Sequence, residues 1–416
     1  MVRINNKQSG AVSLFIVIFT TLLMTIATIS FTRIMLQDQE EATTTDLSQS
    51  AFDSAQAGVE DGKRALLRYL SICNEKGYSS ADCQAEKDNF KSDASCNQAV
   101  LKLSDVQLSA TGDIPVKTGN NSSLEQAYTC VKIKLNTDDY LGIFTSQDQT
   151  KLIPLNGVAG FNTVQVEWFN VDDAGGNFLD LLSWANVNPG SALPLRRASS
   201  WPDNRPPVMR TQIIQFASTF DLGQLDTSNS VSSDNSTVFL YPFASPTASP
   251  TNITGYDMRS NGYQYIISTI GSSTIKSNQP VPIYCVSSYS GGENFACKAQ
   301  IKLPDTVGGA RQNLFLRLKP LYNGANYRVT LLNDTDSVQF SAVQPEIDST
   351  GRANTLYRRV ASRVELTDID FPYPDAEIDI NGSFCKDFSI TDSEHDYNKI
   401  QAGYSADVSG VGSCTE

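Results

Sequence analysis

Residues 11–31 read AVSLFIVIFTTLLMTIATISF and contain no charged side chain. A helix over this run would be about 30 Å long at about 1.5 Å per residue, which matches the hydrocarbon core of a bilayer. Arg3 and Lys7 precede the run, and acidic residues begin at Asp38. The positive-inside rule therefore predicts one membrane span, with the N-terminus in the cytoplasm and everything after the span outside.

A secretory signal peptide is the alternative interpretation of an apolar run near the N-terminus. Such a peptide is cut on the far side of its apolar region, after a small-x-small site. The first site of this kind after Phe31 is Ala55–Ala57, which is too distant. The sequence therefore favours a membrane anchor that the mature protein keeps.

The apolar run continues into a polar segment without a helix breaker. Neither Gly nor Pro occurs between Ala11 and Ala57, so a single helix is predicted from Ala11 to about Tyr69. Helical spacing then places one apolar stripe on the second half of this helix. The stripe consists of Ala51, Ala55, Val59, Leu66 and Leu70.

These features together resemble a type IV pilin-like protein. The basic leader MVRINNKQSG, residues 1–10, directly precedes the apolar helix, and the resemblance implies that a prepilin peptidase cuts between Gly10 and Ala11. The segment AFDSAQAGVED, Ala51–Asp61, resembles the small-residue motif that follows the membrane helix in PilX-like minor pilins. The resemblance covers residues 7 to about 70. It implies a mature protein whose helix packs into a filament core.

Phe15 departs from the family pattern. Counted from Ala11, it is the fifth residue, where major pilins usually carry a glutamate that neutralises the N-terminal amine of a neighbouring subunit. A subunit without that acid loses a buried charge pair in the filament. The resemblance therefore implies a low-copy initiating or tip subunit, and the alternative is that Phe15 is simply a lipid-facing anchor residue.

The chain has eight cysteines, all on the predicted outer side of the membrane. An even number in an exported region indicates disulfides, and the absence of a CxxC pair argues against a zinc ribbon. The disulfide candidates are Cys73, Cys83, Cys96, Cys130, Cys285, Cys297, Cys385 and Cys414. The simplest pairing joins Cys285 to Cys297 and Cys385 to Cys414, with two bridges among the first four. Sequence alone does not determine this connectivity.

Beyond residue 126 the apolar period changes from helical to alternating, which predicts β-strands. The candidate strands are AYTCVKIKL (127–135), FNTVQVEWFN (161–170), TQIIQFA (211–217), TVFLYPF (237–243), YQYIIST (263–269), CKAQIKL (297–303), LFLRLKP (314–320), YRVTLLN (327–333) and the end of RRVASRVEL (358–366). A turn at DSTG, residues 348–351, is predicted to join the last strand pair, with Val360 and Val364 facing a core. This pair resembles the last strands of some PilX-like proteins.

The predicted fold class is α+β, with a long N-terminal transmembrane and amphipathic helix and a disulfide-stapled, β-rich exported body of antiparallel sheets. Seven segments are expected. They are a leader (1–10), a transmembrane helix (11–31), its amphipathic continuation (32–71), a Cys-containing connector (72–130), a β-rich pilin-like domain (131–220), a second β-rich domain or insertion (221–365) and an acidic Cys-containing tail (366–416).

Composition argues against catalysis and nucleic-acid binding. The formal net charge is −13, which is unfavourable for phosphate contacts, and His395 is the one histidine in the chain. That residue lies in an acidic, polar segment, TDSEHDYNK, where a surface histidine is expected. No GxSxG, Walker A, GxGxxG or HExxH motif occurs. The sequence therefore predicts a protein that is not an enzyme.

Calcium is the one cofactor that the composition suggests. The acidic tail contains Asp368, Asp370, Asp375 and Asp379, and oxygen ligands at this density are of the type that Ca²⁺ prefers. The alternative is a solvated charged face, since the spacing matches no EF-hand loop. Asp172–Asp173 with Gly175–Gly176 forms a weaker candidate of the same kind. No other metal or cofactor is predicted.

Together, these features predict a non-enzymatic minor pilin that takes part in pilus assembly or surface attachment. Its expected partners are other pilin subunits through the N-terminal helix, the prepilin peptidase, the cytoplasmic membrane and a host or surface ligand. The body would face outward, at the cell surface or in the pilus after assembly. The alternative function is an unprocessed, membrane-anchored extracellular adhesin or structural surface protein, while an exported hydrolase has no supporting motif.

Overall fold

A computed structural model describes residues 9–91, 95–116, 125–147, 149–183, 200–215, 235–245, 251–253, 281–289, 294–308 and 314–366. The chain forms two compact units. Unit 1 consists of residues 1–134 and 346–364, and unit 2 of residues 135–345 and 365–416, each within the described ranges. The two units are described separately below.

The helices begin with α1, Ser9–Lys76, which is one uninterrupted element of 68 residues. The predicted helix from Ala11 to about Tyr69 is therefore confirmed, and it extends slightly further at both ends. The predicted Cys-containing connector holds α2 (Ala81–Lys87), a 3₁₀ turn (Asp88–Phe90) and α3 (Gln98–Leu103). Ser80 caps α2, because its hydroxyl accepts a hydrogen bond from the Cys83 amide. The short helix α4 is Val171–Ala174.

The described strands follow in chain order. They are β1 (Ile114–Pro115), β2 (Ala127–Thr137), β3 (Tyr140–Phe144), β4 (Lys151–Pro154), β5 (Phe161–Trp168), β6 (Leu182–Ser183), β7 (Val208–Gln215), β8 (Asn235–Ser245), β9 (Thr251–Ile253), β10 (Val281–Val286), β11 (Cys297–Val307), β12 (Leu314–Leu321), β13 (Ala325–Asn333), β14 (Asp336–Val338), β15 (Phe340–Ala353) and β16 (Leu356–Arg363).

In unit 1, a four-stranded sheet has the order β1-β2-β15-β16. The pairs β1–β2 and β15–β16 are antiparallel. Alternate residues of β15 are buried, among them Ile347, Ser349 and Ala353. This alternation is the pattern of a sheet with one covered face.

In unit 2, a twelve-stranded sheet runs β14-β13-β5-β11-β10-β8-β7-β12-β4, with β3, β6 and β9 paired beside it. Most pairs are antiparallel, whereas β8 pairs with both β6 and β10 in parallel, and β9 pairs with β11 in parallel. The predicted α+β fold with a β-rich body of antiparallel sheets is thus confirmed. The candidate strand at residues 263–269 lies outside the described residues.

The core of unit 2 is built from the buried faces of its central strands. In β5, Phe161, Val164, Val166 and Trp168 are all fully buried. The indole Nε1 of Trp168 donates a hydrogen bond to the Pro207 carbonyl at 3.1 Å, so this large side chain buries no unpaired polar atom.

Three disulfides lie in the described part of the chain. They join Cys73 to Cys83, Cys96 to Cys130, and Cys285 to Cys297. The last is the neighbour pair predicted from sequence, and it links residues that face each other on β10 and β11. Cys385 and Cys414 lie outside the described residues.

The predicted turn at residues 348–351 is wrong. These residues lie inside β15, and the chain turns instead at Asn354 and Thr355, where Asn354 has a left-handed φ of 52°. Gly351 allows β15 to pack closely against α1, since a Cβ on this residue would lie 2.2 Å from the Ala51 carbonyl oxygen. Val360 and Val364 are half-buried.

The sheets also divide the chain differently from the predicted boundary at residue 220. β7 and β8 flank that position and pair with each other in one sheet. Residues 346–364 belong to the unit that contains α1, although they are distant from it in sequence. Pairing between strands is a long-range property, and no local pattern of the sequence reports it.

Candidate assembly helix and its sheet

The N-terminal half of α1 is an exposed apolar rod. In the described part of the chain, α1 is long and apolar enough to cross a membrane. Large apolar side chains between Leu14 and Leu36 are more than half exposed, and Phe15 is 72% exposed. Within the protein, then, this surface has no covering partner among the described residues.

The threonine hydroxyl groups in this rod are satisfied within the helix. Thr20, Thr25 and Thr28 each donate a hydrogen bond to a carbonyl one turn earlier, at 2.9, 2.9 and 2.8 Å. Polar groups that a helix satisfies internally cost little in a hydrocarbon environment. Up to Phe31, before the first charged side chain at Arg33, the rod is therefore compatible with lipid or with other apolar helices.

The C-terminal half of α1 packs on the sheet of unit 1 through small residues. Ala51 and Ala55 are fully buried, and a Cβ on Gly351 of β15 would lie 2.2 Å from the Ala51 carbonyl oxygen and 2.2 Å from the Ala55 amide nitrogen. These neighbours are backbone atoms, so they cannot move aside as a flexible side chain can. At this point helix and strand are as close as their backbones permit.

The close contact continues along the helix. A Cβ on Gly58 would lie 2.3 Å from the Ser349 hydroxyl, and one on Gly62 would lie 2.8 Å from Ile347 Cγ2. Helix positions rise from 51 to 62, over about 16 Å, while strand positions fall from 351 to 347, over about 13 Å. The helix thus runs antiparallel to β15, and the Ala51–Asp61 motif forms its packing stripe.

A buried aspartate, Asp61, joins α1 to two other segments of unit 1 through its carboxylate and its backbone carbonyl. Asp61 is buried, and one of its carboxylate oxygens accepts a hydrogen bond from the Tyr128 hydroxyl at 2.6 Å. The other oxygen is paired with Arg64, and the backbone carbonyl of Asp61 accepts a hydrogen bond from the Ser104 hydroxyl at 2.7 Å. Burial raises the pKa of Tyr128 to about 12, so the phenol keeps its proton at neutral pH and remains a donor to Asp61.

No protein-family model, curated protein or solved structure matches this chain.

In unit 2, one buried acid and two cations form ion pairs that connect neighbouring strands of the sheet. Glu167 of β5 is buried between Arg328 Nε at 2.6 Å and Lys298 Nζ at 3.0 Å. Burial alone would raise the pKa of Glu167, but hydrogen bonds and charge from Arg328, and then Lys298, outweigh it and hold that pKa below its usual value. A buried acid with two cations stays ionised, and it ties three neighbouring strands together.

At the weaker calcium candidate, residues 172–173, the Asp173 side chain belongs to the capping box of α4, whose N-cap residue is Asn170. One oxygen of Asp173 accepts hydrogen bonds from the amides of Asn170 at 2.8 Å and Asn326 at 2.9 Å. The other accepts one from the Asn326 side chain at 2.7 Å. Both carboxylate oxygens of Asp173 therefore already accept hydrogen bonds from backbone or side-chain amide groups. Among the described residues, no group of three or more His, Cys, Asp or Glu side chains could hold a metal ion.

The other predicted site residues are placed as follows. Gly10 and Ala11 have helical backbone in the first turns of α1, and Phe15 is exposed on the rod. Six of the eight cysteine candidates are paired. The four tail candidates for calcium, Asp368, Asp370, Asp375 and Asp379, lie outside the described residues.

Sequence reasoning missed Gly351 as a packing residue and Asp61 as a buried anchor. Alternation of polar and small residues through 346–353 would have indicated a strand across Gly351. Nothing local marks Asp61, because its partner Tyr128 is far away in the sequence.

Proposed function

We propose that this protein is a non-enzymatic minor pilin, a low-copy initiating or tip subunit of a type IV pilus-like filament. The supporting observation is that the two halves of α1 have different surroundings. One uninterrupted helix has an exposed apolar half and a half that packs on an antiparallel sheet through small residues. A subunit that must sit in a membrane first and in a helical core later needs both halves on one rigid element.

The proposed pathway starts in the cytoplasmic membrane. There the apolar half of α1 spans the bilayer, with the leader inside and the body outside. A prepilin peptidase removes residues 1–10, and the helix beginning at Ala11 then packs against the helices of other pilin subunits. The exported body faces the environment, where it contributes to assembly or to contact with a surface.

Mass spectrometry of the mature N-terminus tests this proposal. The protein purified from its own envelope should begin at Ala11, with or without N-methylation. A Gly10→Val variant should keep Met1, because a branched side chain replaces the smallest residue at the cut, while a Ser9→Ala control should still be processed. A wild-type chain that begins at Met1 would contradict the pilin proposal and support the membrane-anchored adhesin.

The role of Phe15 has a separate test. If the missing acid restricts the subunit to low copy number, Phe15→Glu should raise its abundance in sheared filaments several-fold. Phe19→Glu is the matched control, since Phe19 is also exposed and lies one turn further along the helix. Its acid would have no partner amine in register, so its abundance should not rise. Equal abundance of the Phe15→Glu variant and the wild type would argue that Phe15 is only an anchor residue.

A further inference from the structure

One edge of β2 is only partly covered within unit 1. In the described part of the chain, β1 pairs with just the first two residues of β2. Beyond them Asn97 takes the place of a strand. Its amide donates a hydrogen bond to the Val131 carbonyl at 2.9 Å, its side-chain oxygen accepts one from the Val131 amide at 2.8 Å, and its side-chain nitrogen donates one to the Thr129 carbonyl at 3.0 Å. The Cys96–Cys130 disulfide holds Asn97 beside the strand.

The next position on this edge is open. Backbone groups of a strand alternate between its two edges, so Ile133, two residues after Val131, directs its N–H and C=O to the edge that Asn97 covers at Val131. None of the described residues forms a backbone hydrogen bond with Ile133 on that edge. An uncovered strand edge is a template on which another extended chain can pair.

A cavity of about 180 Å³ lies against the open edge. Small-molecule sites usually have volumes of about 300–1,000 Å³. The cavity therefore suits one side chain of a segment that lies along the strand better than it suits an enclosed small molecule. Its apolar lining includes Ala99, Val131 and Ile133.

The charged lining of this cavity is basic, although the chain is acidic. It contains Lys91, Lys132 and Lys134 and no Asp or Glu, whereas the formal net charge of the chain is −13. Lys91 is paired with Asp88 at 2.9 Å, but both side chains are more than 60% exposed, so water screens this pair. Lys132 is exposed and forms no ion pair with a described residue. The charge at this edge thus favours an anionic partner.

The two lysines of β2 have the spacing of alternate residues in a strand. Val131 faces α1, since a Cβ on Gly58 would lie 2.9 Å from its Cγ2. Lys132 and Lys134 alternate with Val131, so they extend from the opposite face of the strand. A second strand paired at this edge would place every other side chain on that face, with Cβ atoms about 5 Å from those of β2. Carboxylates at alternate positions would then meet both ammonium groups.

We propose that β2 binds an extended acidic segment of another protein by strand addition at Ile133. The Ile133 N–H donates a hydrogen bond to a carbonyl of the segment, and the Ile133 carbonyl accepts one from an N–H of the segment. Lys132 and Lys134 contact carboxylates at alternate positions, and an apolar side chain between them enters the cavity. Backbone pairing supplies affinity in this mode of recognition, and the side chains supply specificity.

The binding of a labelled peptide, followed by fluorescence anisotropy, tests the contact. The probe is a synthetic nine-residue peptide in which glutamate and valine alternate, and the protein is the full-length chain in a nonionic detergent. Lys132→Glu should raise the dissociation constant about tenfold, because a cation at the contact becomes an anion. Arg68→Glu makes the same kind of charge change at an exposed position of α1 and should leave the constant unchanged. A peptide with lysine in place of glutamate should not bind.

Two N-methylated peptides separate strand pairing from general charge attraction. Methyl groups on the valine nitrogens block the donors on one edge of the peptide, and methyl groups on the glutamate nitrogens block those on the other edge. Only one edge can pair with β2, so one of these peptides should bind about tenfold more weakly than the unmodified peptide and the other about as well.

The proposal is overturned if the wild type does not bind the alternating peptide, if Lys132→Glu and Arg68→Glu weaken binding equally, or if the two methylated peptides bind alike. Both variants should keep the wild-type melting temperature, because both substituted side chains are exposed. The inference does not rest on the proposed function, since the surface lies within unit 1 and its partner is a different protein. The mature N-terminus tests the pilin proposal separately.

Discussion

In the N-terminal half of α1, side chains such as Leu22 and Ile26 are large, apolar and more than half exposed. In the C-terminal half, the residues that meet the sheet are small and fully buried, as Ala51 and Ala55 are. The two halves belong to one helix and have the same backbone hydrogen bonding. They differ in what covers them.

This difference shows how a helix can be specified for two kinds of partner. Small side chains fit a partner whose position is determined by the fold, because they allow a close backbone approach that larger residues would block. Large apolar side chains around the whole circumference suit a partner that is fluid or supplied later, such as lipid or other helices. The halves should therefore respond differently to added volume and to added charge.

The largest effect is expected where backbone meets backbone. Gly351→Ala places a Cβ 2.2 Å from the backbone of Ala51 and Ala55, so helix and strand must separate. The free energy of unfolding of unit 1 should fall by about 3 kcal/mol. Chemical denaturation followed by circular dichroism measures this loss.

Gly176→Ala is the matched control for Gly351→Ala, since nothing lies within 4 Å of its added Cβ. It should leave stability within about 0.5 kcal/mol of the wild type. Equal stability of the two variants would show that α1 does not pack closely on β15.

The next effect concerns the exposed half. Leu22→Asp places a carboxylate near the centre of the apolar run, which should cost about 3 kcal/mol of membrane insertion. The fraction of full-length protein that stays in membranes after alkaline carbonate extraction should drop accordingly. Thr44→Asp, on the exposed helix beyond the run, should have no such effect. Full retention of the Leu22→Asp variant would contradict a membrane span.

The smallest effect is expected at the buried carboxylate. Tyr128→Phe removes the donor to Asp61 and leaves a buried oxygen unpaired, at a cost of about 1.5 kcal/mol. Tyr357→Phe changes a hydroxyl on an exposed ring and should be near neutral. Equal melting temperatures of the two variants would contradict a stabilising role for the Tyr128 hydroxyl.

The contribution of Tyr128 to stability can also be tested at alkaline pH. The pKa of Tyr128 is raised from 10.0 to about 12, so the folded protein holds this proton more tightly than the unfolded chain. Its contribution to stability is full below pH 10 and is lost as pH rises from 10 to about 12. The Tyr128→Phe variant should therefore lose less stability than the wild type over that interval, as pH-dependent melting would show.

Much of the helix was predictable because its determinants are local. The apolar run, the absence of Gly and Pro up to Ala57 and the stripe beginning at Ala51 all lie within one continuous segment. The strand positions were also readable, since alternation is a local pattern. The predicted turn at residues 348–351 failed because Ser and Gly favour turns in general, whereas here Gly351 serves a contact with a helix that is 300 residues away.

The amino-acid sequence by itself determined the membrane-length apolar helix, its amphipathic continuation and the β-rich character of the body, because periodicity and side-chain polarity act within a few residues. Only the tertiary structure decided that β15 and β16 join α1 in one unit, that Asp61 meets Tyr128, and that Arg358 donates a hydrogen bond to Ser48 of the helix. The free-energy cost of closing a loop rises only slowly with its length, so distant segments pair almost as readily as near ones, and no local pattern records which segments they are.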